Sequence, residues 1–423
     1  MKNFFAKIGT VLKDPAMRKR IGFTLGALVV FRLLAAIPMP GIDVASLERL
    51  LASSQFFGLL DIFSGGGISN LSIVMLGVGP YITGSIIMQL LTMMFPKMKT
   101  MMQEEGEAGR QKLSQYSRLL AVPLGLIQAF AFIKLFQSQG VLGALGGFDL
   151  AVSIIVITAG SLLVMWIGEL ISEFGIGNGV SLIIFAGIVA SLPTRIAQFA
   201  SAFDPSQLPL YLVFLVIALV VIVGVVYITE AERAVPVTYA KQVRGNKVYG
   251  GVSTYLPLRL NQAGVIPIIF ALSILLFPQV ISNFFANSAN TTVADIASSV
   301  STFLASPWPY GIAYFLLVFI FTYFYTAVTF DPKQISENLQ KSGAFIPGVR
   351  PGESTMAYLG KIVTRITLVG ALFLGIIAVL PLIMQAFTGN KTLAIGGTAL
   401  LIVVSVVLDL LKKIDAQASM REY

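Results

Sequence analysis

Ten apolar segments, each long enough to cross a membrane, restrict this sequence more than any other feature. A helix that spans a hydrocarbon core of about 30 Å needs about 20 predominantly apolar residues. Lipid offers no hydrogen-bond partners to an open backbone, so such segments fold as helices. The sequence therefore predicts an all-α polytopic membrane protein. Its ten predicted transmembrane helices are residues 21–38, 71–95, 115–137, 151–171, 179–199, 209–229, 262–285, 309–330, 362–386 and 393–411.

The composition limits the chemistry of such a protein. Of the 423 residues, 56% are hydrophobic and 12% are charged, whereas soluble domains average roughly a quarter charged. The chain has no Cys and no His, which excludes disulfides, thiolate nucleophiles, cysteine metal sites and histidine general bases. It also lacks the glycine-rich P-loop pattern that cradles ATP phosphates. We therefore predict neither an enzyme nor a bound cofactor.

Lys and Arg residues concentrate between alternate spans. When the N-terminus is placed in the cytoplasm, 24 of them lie on the cytoplasmic side and 4 on the opposite side, and Arg32 lies inside the first span. Cytoplasmic loops of membrane proteins carry an excess of Lys and Arg. Because an even number of spans puts both ends of the chain on one side, we predict that both termini are cytoplasmic.

The segment FDPSQLPL at residues 203–210 divides the ten spans into five and five. An odd number of spans in each half inserts the two halves in opposite senses, as in inverted-repeat transporters and channels. We therefore predict two pseudo-symmetric inverted halves, residues 1–200 and 201–423.

Two long loops lie on the predicted cytoplasmic side. Residues 230–261 alternate β-branched or aromatic residues with polar ones around Arg244, which predicts a small β-hairpin. Residues 331–361 carry two Pro-Gly pairs that bracket Arg350 and hold it at a defined loop tip. We predict that a partner docks at Arg350, and the alternative is a merely solvated charge.

Five sequence motifs occur in order along the chain. They are GPYITGSIIMQLL (79–91), GIGNGVSLIIFAGIVASLP (175–193), YAKQVRGNKVYGGVSTYLPLRLNQAGVIPIIF (239–270), SGAFIPGVRPGE (342–353) and GGTALLIVVSVVLDLL (396–411). Their order and spacing resemble those of the SecY family, the central channel subunits of the bacterial Sec translocon. The resemblance implies a protein-conducting channel in the bacterial plasma membrane. Such a channel translocates unfolded, signal-bearing polypeptides and releases membrane segments laterally into lipid.

The resemblance also implies a short plug helix before the second span, at about residues 60–70, that sits in the resting pore. A plug must be small and weakly held, and glycines remove side-chain bulk while weakening a helix by roughly 0.5–1 kcal/mol each. The alternative is an ordinary glycine-rich outer loop. The implied plug residues are Phe63, Ser64, Gly65, Gly66, Gly67, Ile68, Ser69 and Asn70.

A ring of aliphatic side chains is the implied seal of the pore. An apolar constriction dewets and blocks ions, and aliphatic groups offer no hydrogen bonds that would trap a passing chain. For each such side chain taken alone, lipid contact or helix packing is the alternative. The implied ring positions are Val78, Ile82, Ile184, Ile188, Ile269 and Ile402.

Gln89 in the second span and Asn178 at the start of the fifth are amides in positions that lipid disfavours. Buried amides need partners, and interhelical pairs contribute on the order of 1 kcal/mol. We predict that they latch the closed channel near the cytoplasmic side of a lateral gate, formed by spans two and three against spans seven and eight. Simple helix packing is the alternative.

A channel without an ATP-binding loop needs an external source of energy. The resemblance implies the SecA motor ATPase or a translating ribosome as the driver, and SecE and SecG as small membrane subunits. The implied substrates are signal peptides and preproteins, and membrane lipids surround the channel. Arg244, Lys247 and Arg350 are the predicted docking residues, since positive charge suits acidic motor surfaces or RNA phosphates. A small-solute transporter and a membrane scaffold are the competing classes of protein.

Overall fold

The structure of the protein is a computed structural model of the 423-residue chain. It describes residues 14–40, 46–47, 64–95, 97–98, 100–101, 106–143, 145–201, 205, 208–239, 242–244, 247–249, 253–285, 291–388 and 396–419.

The described chain is dominated by helices, as the apolar segments predict. Each of the ten predicted spans overlaps one helix, and two further helices with described bounds lie between spans. The helices whose bounds the described residues give are α1 (Pro15–Ala35), α2 (Gly79–Met94), α3 (Gly106–Ser138), α4 (Gly147–Phe174), α5 (Gly179–Ser201), α6 (Leu208–Glu230), α7 (Ile266–Phe285), α8 (Thr291–Ala305), α9 (Pro307–Thr329), α10 (Pro332–Lys341), α11 (Glu353–Thr388) and α12 (Gly396–Ser419).

Length and composition alone identify membrane-crossing helices among the described residues. Five stretches satisfy both criteria: Gln111–Gln137, Gly147–Phe174, Tyr211–Glu230, Trp308–Lys341 and Glu353–Met384. Helix α6 has the least buried apolar surface of the five, and most of its side chains face outward. An apolar helix with this exposure is stable only in a lipid environment.

The second predicted span begins later in the structure than the apolar pattern indicates. Residues 71–78 form turns, and α2 starts at Gly79 with Pro80 in its first turn. Proline is favoured there because its missing N–H is unpaired at a helix start in any case. The Ser161 hydroxyl of α4 donates a 2.7 Å hydrogen bond to the Gly77 carbonyl, which ties this turn to the neighbouring helix.

The principal contacts between helices fall into two sets. Helices α1 to α5 pack among themselves, and α6, α7, α9, α11 and α12 do the same. Two seams join the sets: α5 contacts α12 on one side, and α7 contacts α2 and α3 on the other. Any opening between the two sets of helices must therefore separate the helices at a seam.

The predicted hairpin is confirmed, and the two long loops join in one unit. Strand β1 (Glu232–Tyr239) pairs antiparallel with β4 (Ser253–Arg259), and β2 (Gln242–Arg244) pairs with β3 (Lys247–Tyr249). A short strand from the second loop, β5 (Ala344–Phe345), adds to the other edge of β1, giving the order β4-β1-β5.

A separate hydrophobic core holds this loop unit together. It buries aliphatic side chains from β1 and β4, from the segment around β5, and from the first turns of α11. The core side chains with the least exposure are Val235, Val237, Leu258, Ala344, Ile346, Leu359 and Val363. Because strands of both loops contribute, the loop unit is one packed body at one end of the helices and not two independent loops.

Candidate functional site

The six implied ring side chains lie in one hydrophobic cluster, where each is 0 to 9% exposed. They come from α2 and the residue before it, from α5, α7 and α12, and therefore from both sets of helices. The cluster also contains many other aliphatic side chains. The six side chains therefore share one buried cluster, and their assignment to a pore ring stays a prediction.

The implied plug residues that the structure describes, 64–70, form consecutive turns. Phe63 lies outside the described residues. The Ser64 hydroxyl accepts hydrogen bonds from the backbone N–H groups of Gly67 and Ile68, at 3.0 and 3.1 Å. Gly65 and Gly66 have φ angles of 69° and 85°, which L residues with side chains rarely adopt. The glycines thus permit a compact, serine-capped turn.

This turn sits directly against helix α5. A Cβ atom built at Gly187 of α5 would overlap the backbone of Gly65, and one built at Gly65 would overlap the ring of Phe31. The absence of a side chain at Gly187 therefore allows the backbone of the turn to contact the backbone of α5. Gly187 is adjacent in sequence to Ile188, one of the implied ring positions, so the turn lies beside the apolar cluster.

Helix α1 holds the turn from its other side. The Arg32 guanidinium donates a 2.9 Å hydrogen bond from Nη1 to the Gly65 carbonyl. The Asn70 side-chain amide donates to the Ala35 carbonyl at 3.4 Å. Charged side chains inside membrane segments are rare and pair with other groups, and here the partner of the arginine is the backbone of the turn. A charge-assisted bond of this kind is stronger than a neutral one.

Residues 71–73 continue this attachment to the end of α1. The Met39 N–H donates to the Leu71 carbonyl at 3.0 Å, and the Ile73 N–H donates to the Ile37 carbonyl at 3.1 Å. Pro38 and Ser72 form an isolated antiparallel bridge. The turn and the residues that follow it are therefore attached at several points to α1 and to the segment that follows α1.

The seam between α7 and helices α2 and α3 brings together three of the four helices of the predicted lateral gate, spans two, three and seven, and the gate itself stays a prediction. Gln89 of α2 donates from Nε2 to the Ser85 hydroxyl at 3.4 Å, and its Oε1 is buried without a hydrogen-bond partner among the described residues. Asn178 Oδ1 accepts from the Ser181 N–H at 3.2 Å and so caps the start of α5. Within the described residues no hydrogen bond joins Gln89 to Asn178, and the latch stays a prediction.

A cavity of about 350 Å³ opens between the two sets of helices. Polar side chains from both sets line it, including Asn178 and Ser181 of α5, Arg259 at the end of β4, and Ser405 and Asp409 of α12. Lys412 of α12, also in the wall, pairs with Glu230 of α6 at 2.8 Å. The presence of Arg259 puts the cavity on the same end of the molecule as the loop unit.

The predicted docking residues belong to the loop unit. Arg244 and Lys247 occupy directly opposite positions at the tip of the β2–β3 hairpin.

Arg350 is exposed on a turn with a defined shape. Its carbonyl accepts a 2.9 Å hydrogen bond from the Thr355 hydroxyl, and the Gly352 carbonyl accepts a 2.7 Å bond from Ser336. Gly348 and Gly352 on either side have φ angles of 82° and 96°. Over the described residues, no carboxylate forms a salt bridge with Arg350. The turn therefore presents an uncompensated guanidinium at a fixed position.

The sequence did not predict two features of this site. One is the close contact at Gly187, and the other is the hydrogen bond between Arg32 and the turn. A signal for the second is present, because Arg32 is the one basic residue that the charge count leaves inside a predicted span. No signal identifies Gly187, since a glycine in an apolar helix has many other uses.

Comparison with known proteins identifies the family. The SecY family matches residues 72–411. "Protein translocase subunit SecY" of Corynebacterium glutamicum is 42% identical and covers 97% of each chain. The subunit of that name from Thermus thermophilus is 41% identical over 98% of this chain and 95% of its own.

Solved structures share the fold at low identity. "The structure of a protein conducting channel" has a TM-score of 0.66 at 19% identity, over 96% of this chain and 93% of the other. Sec61 in the canine ribosome–channel complex from the endoplasmic reticulum has a TM-score of 0.63 at 18% identity, with the same coverage of both chains. With a family match over most of its length and close bacterial relatives, this chain belongs to the SecY family.

Proposed function

We propose that the chain is the protein-conducting channel of a bacterial protein translocase. Unfolded, signal-bearing polypeptides cross the plasma membrane through it, and membrane segments leave it sideways into lipid. The observation that carries the proposal is the glycine turn of residues 64–68, which lies against α5 beside an aliphatic cluster between two sets of helices. The names of its relatives, protein translocase subunits, and of a structure with the same fold, a protein conducting channel, agree with it.

In this proposal the chain has two halves, residues 1–200 and 201–423, and the division of the principal helix contacts into two sets supports it. The halves move apart along the α7 seam with α2 and α3, while α5 and α12 stay together as the hinge side. In this scheme a signal peptide enters between the separated helices, and Gln89 of α2 resists that separation. The buried, unpaired Oε1 of Gln89 supports a closed seam of limited stability, since an unsatisfied buried acceptor costs roughly 1–3 kcal/mol.

The closed channel is sealed twice. The aliphatic side chains at the waist, with Val78, Ile184 and Ile402 each at most 1% exposed, exclude water and hence ions. The glycine turn fills the space beside them. Translocation displaces the turn, which requires breaking the bond between Arg32 and the Gly65 carbonyl and the bond between Asn70 and the Ala35 carbonyl.

The loop unit and the polar cavity lie on the proposed cytoplasmic side, together with both termini. A driver docks there: the SecA motor or a translating ribosome contacts Arg350 and the hairpin tip with Arg244 and Lys247. Positive charge at defined positions suits acidic protein surfaces and RNA phosphates. SecE and SecG cover part of the exposed apolar surface of helices such as α6, and lipid covers the rest.

Reconstitution tests the function directly. Vesicles that contain this chain with SecE and SecG are given SecA, ATP and a radiolabelled preprotein. We expect the preprotein to become protected from added protease, because a channel of this kind moves the chain into the vesicle lumen. A preprotein that remains fully digestible, with a partner set that supports a related SecY in parallel, would contradict the proposal.

Replacing Gly187 with alanine tests the seat of the plug. The added methyl group overlaps the Gly65 backbone, and overpacking of this kind costs about 1–3 kcal/mol. We expect the unseated state to rise by about 5- to 150-fold in population, measured as increased ion conductance of the resting channel in planar bilayers.

Gly26→Ala on α1 is the matched control, because nothing lies within 4 Å of the position of its added methyl group. It should leave the conductance unchanged. If the Gly187→Ala channel is folded and its resting ion conductance equals that of the unmodified protein, the contact with Gly65 does not seal the pore.

Replacing Arg350 with glutamate tests the docking site. Reversing a charge at an interface that buries it loses roughly 2–5 kcal/mol of binding, so SecA-driven uptake should fall by at least about tenfold. The abundance of the protein in the membrane should not change, because Arg350 is exposed and makes no salt bridge with a described residue. The control is Lys361→Glu, a charge reversal at an exposed position on the first turns of α11. Equal uptake by the two variants would mean that Arg350 does not contribute to docking.

A further inference from the structure

Helix α8, the 15-residue helix between α7 and α9, has three distinct faces. One face is packed on the protein, and its buried members are Ala297 and Leu304. Helix α8 contacts both α7 and α9 through the body of the protein. The remaining two faces are exposed and differ sharply in character.

The first exposed face is an apolar stripe of Val293, Ile296, Val300 and Phe303. Their spacing of three, four and three residues aligns them along one side of the helix. Ile296 and Phe303 are 62% and 56% exposed. No polar side chain interrupts the stripe, which is unusual for a surface that faces water.

The second exposed face is polar and carries Asp295, Ser298, Ser299 and Thr302. The hydroxyls of Ser298 and Ser299 donate to the Asp295 carbonyl, and that of Thr302 donates to the Ser298 carbonyl. These groups are satisfied within the helix, so they do not bind it to the rest of the protein. This polar face is therefore suited to contact with water.

The apolar stripe continues a surface that faces lipid. Helix α9 follows α8 almost at once, and its exposed side chains Trp308, Ile312, Leu316 and Ile320 recur every fourth residue. Helix α7, which precedes α8, exposes Ile274, Ile281 and Phe285 along one side. A tryptophan at the end of a lipid-facing stripe is typical of the membrane–water boundary.

We propose that α8 is an interfacial helix that lies in the outer leaflet and anchors the outer end of the gate helix α7. Its apolar stripe inserts among the acyl chains near the headgroups, and its polar face contacts water, as in other amphipathic helices that lie in the membrane plane. The occupant of the stripe is lipid. The inference rests on the proposed membrane topology, which puts the end of α7 and the start of α9 on the outer side.

The position of α8 gives this anchor a consequence for gating. Helix α7 forms the seam with α2 and α3, and α8 packs on α7. When α7 moves away from that seam, α8 moves with it through the headgroup region. Lipid packing in the outer leaflet therefore resists or favours opening through α8.

The absence of cysteine from the sequence makes the test direct. Single variants Ile296→Cys and Phe303→Cys on the stripe, and Ser298→Cys and Thr302→Cys on the polar face, are labelled with bimane. The channel complex is reconstituted in phosphatidylethanolamine–phosphatidylglycerol vesicles with nitroxide lipids, spin-labelled either near the headgroup or near the end of the acyl chain. We expect quenching at the stripe to exceed that at the polar face by about threefold or more, and to be stronger for the shallow nitroxide.

Two outcomes would overturn the inference. Efficient quenching of the stripe by aqueous iodide would mean that it faces water, and protection from both iodide and nitroxide would mean that another protein or a second copy covers it. Preprotein uptake is measured on the same vesicles. A failure of uptake with the expected quenching contradicts the proposed function alone, whereas normal uptake with iodide quenching contradicts the anchor alone.

Discussion

The contact between the backbones of Gly65 and Gly187 is the constraint on which the proposed resting state depends. It lets a turn without side-chain bulk approach helix α5 closely enough to lie beside the aliphatic cluster. Arg32 secures the turn from the side of α1 through a single charge-assisted bond. A seal of this kind is tight because the surfaces touch. The described part of the segment, residues 64–70, consists of turns and bends and not of regular helix, and local opening of such a segment is less costly than unfolding a packed helix.

Only a few helices form the two seams between the sets. Contacts within each set are extensive, whereas only α5 with α12 and α7 with α2 and α3 make principal contacts across. At the loop end a polar cavity already separates the sets. The loop unit, by contrast, has its own core and a three-stranded sheet. The molecule thus combines a separately packed loop unit with a weakly joined wall, and the glycine turn lies against α5, one of the helices that joins the two sets.

Much of the fold could be predicted from the sequence because membrane thickness fixes the length of an apolar segment. The hairpin could be predicted from the alternation of residues around Arg244. The late start of α2 could not, since hydropathy does not register the turn that Gly77 and Pro80 introduce. Neither could β5, a two-residue strand whose partner lies more than a hundred positions earlier. Helix α8 was not predicted because its apolar residues are divided between a packed face and an exposed one. The hydrogen bond from Arg32 to the Gly65 carbonyl was not predicted because the two residues are distant in sequence, although Arg32 was noticed as a charge within a predicted span.

Cross-linking at two neighbouring positions of α5 tests the central claim, that the buried aliphatic side chains line the path of the polypeptide. Ile188 is 4% exposed and Val189 is 38% exposed, so the account puts the first in the closed waist and the second against lipid. Each is replaced by cysteine, and a preprotein with one cysteine is arrested during transport. The account predicts a disulfide between the preprotein and position 188 but not position 189, and no reaction of position 188 with a water-soluble maleimide at rest. Equal cross-linking at both positions, or labelling of position 188 only by a lipid-soluble reagent, would contradict it.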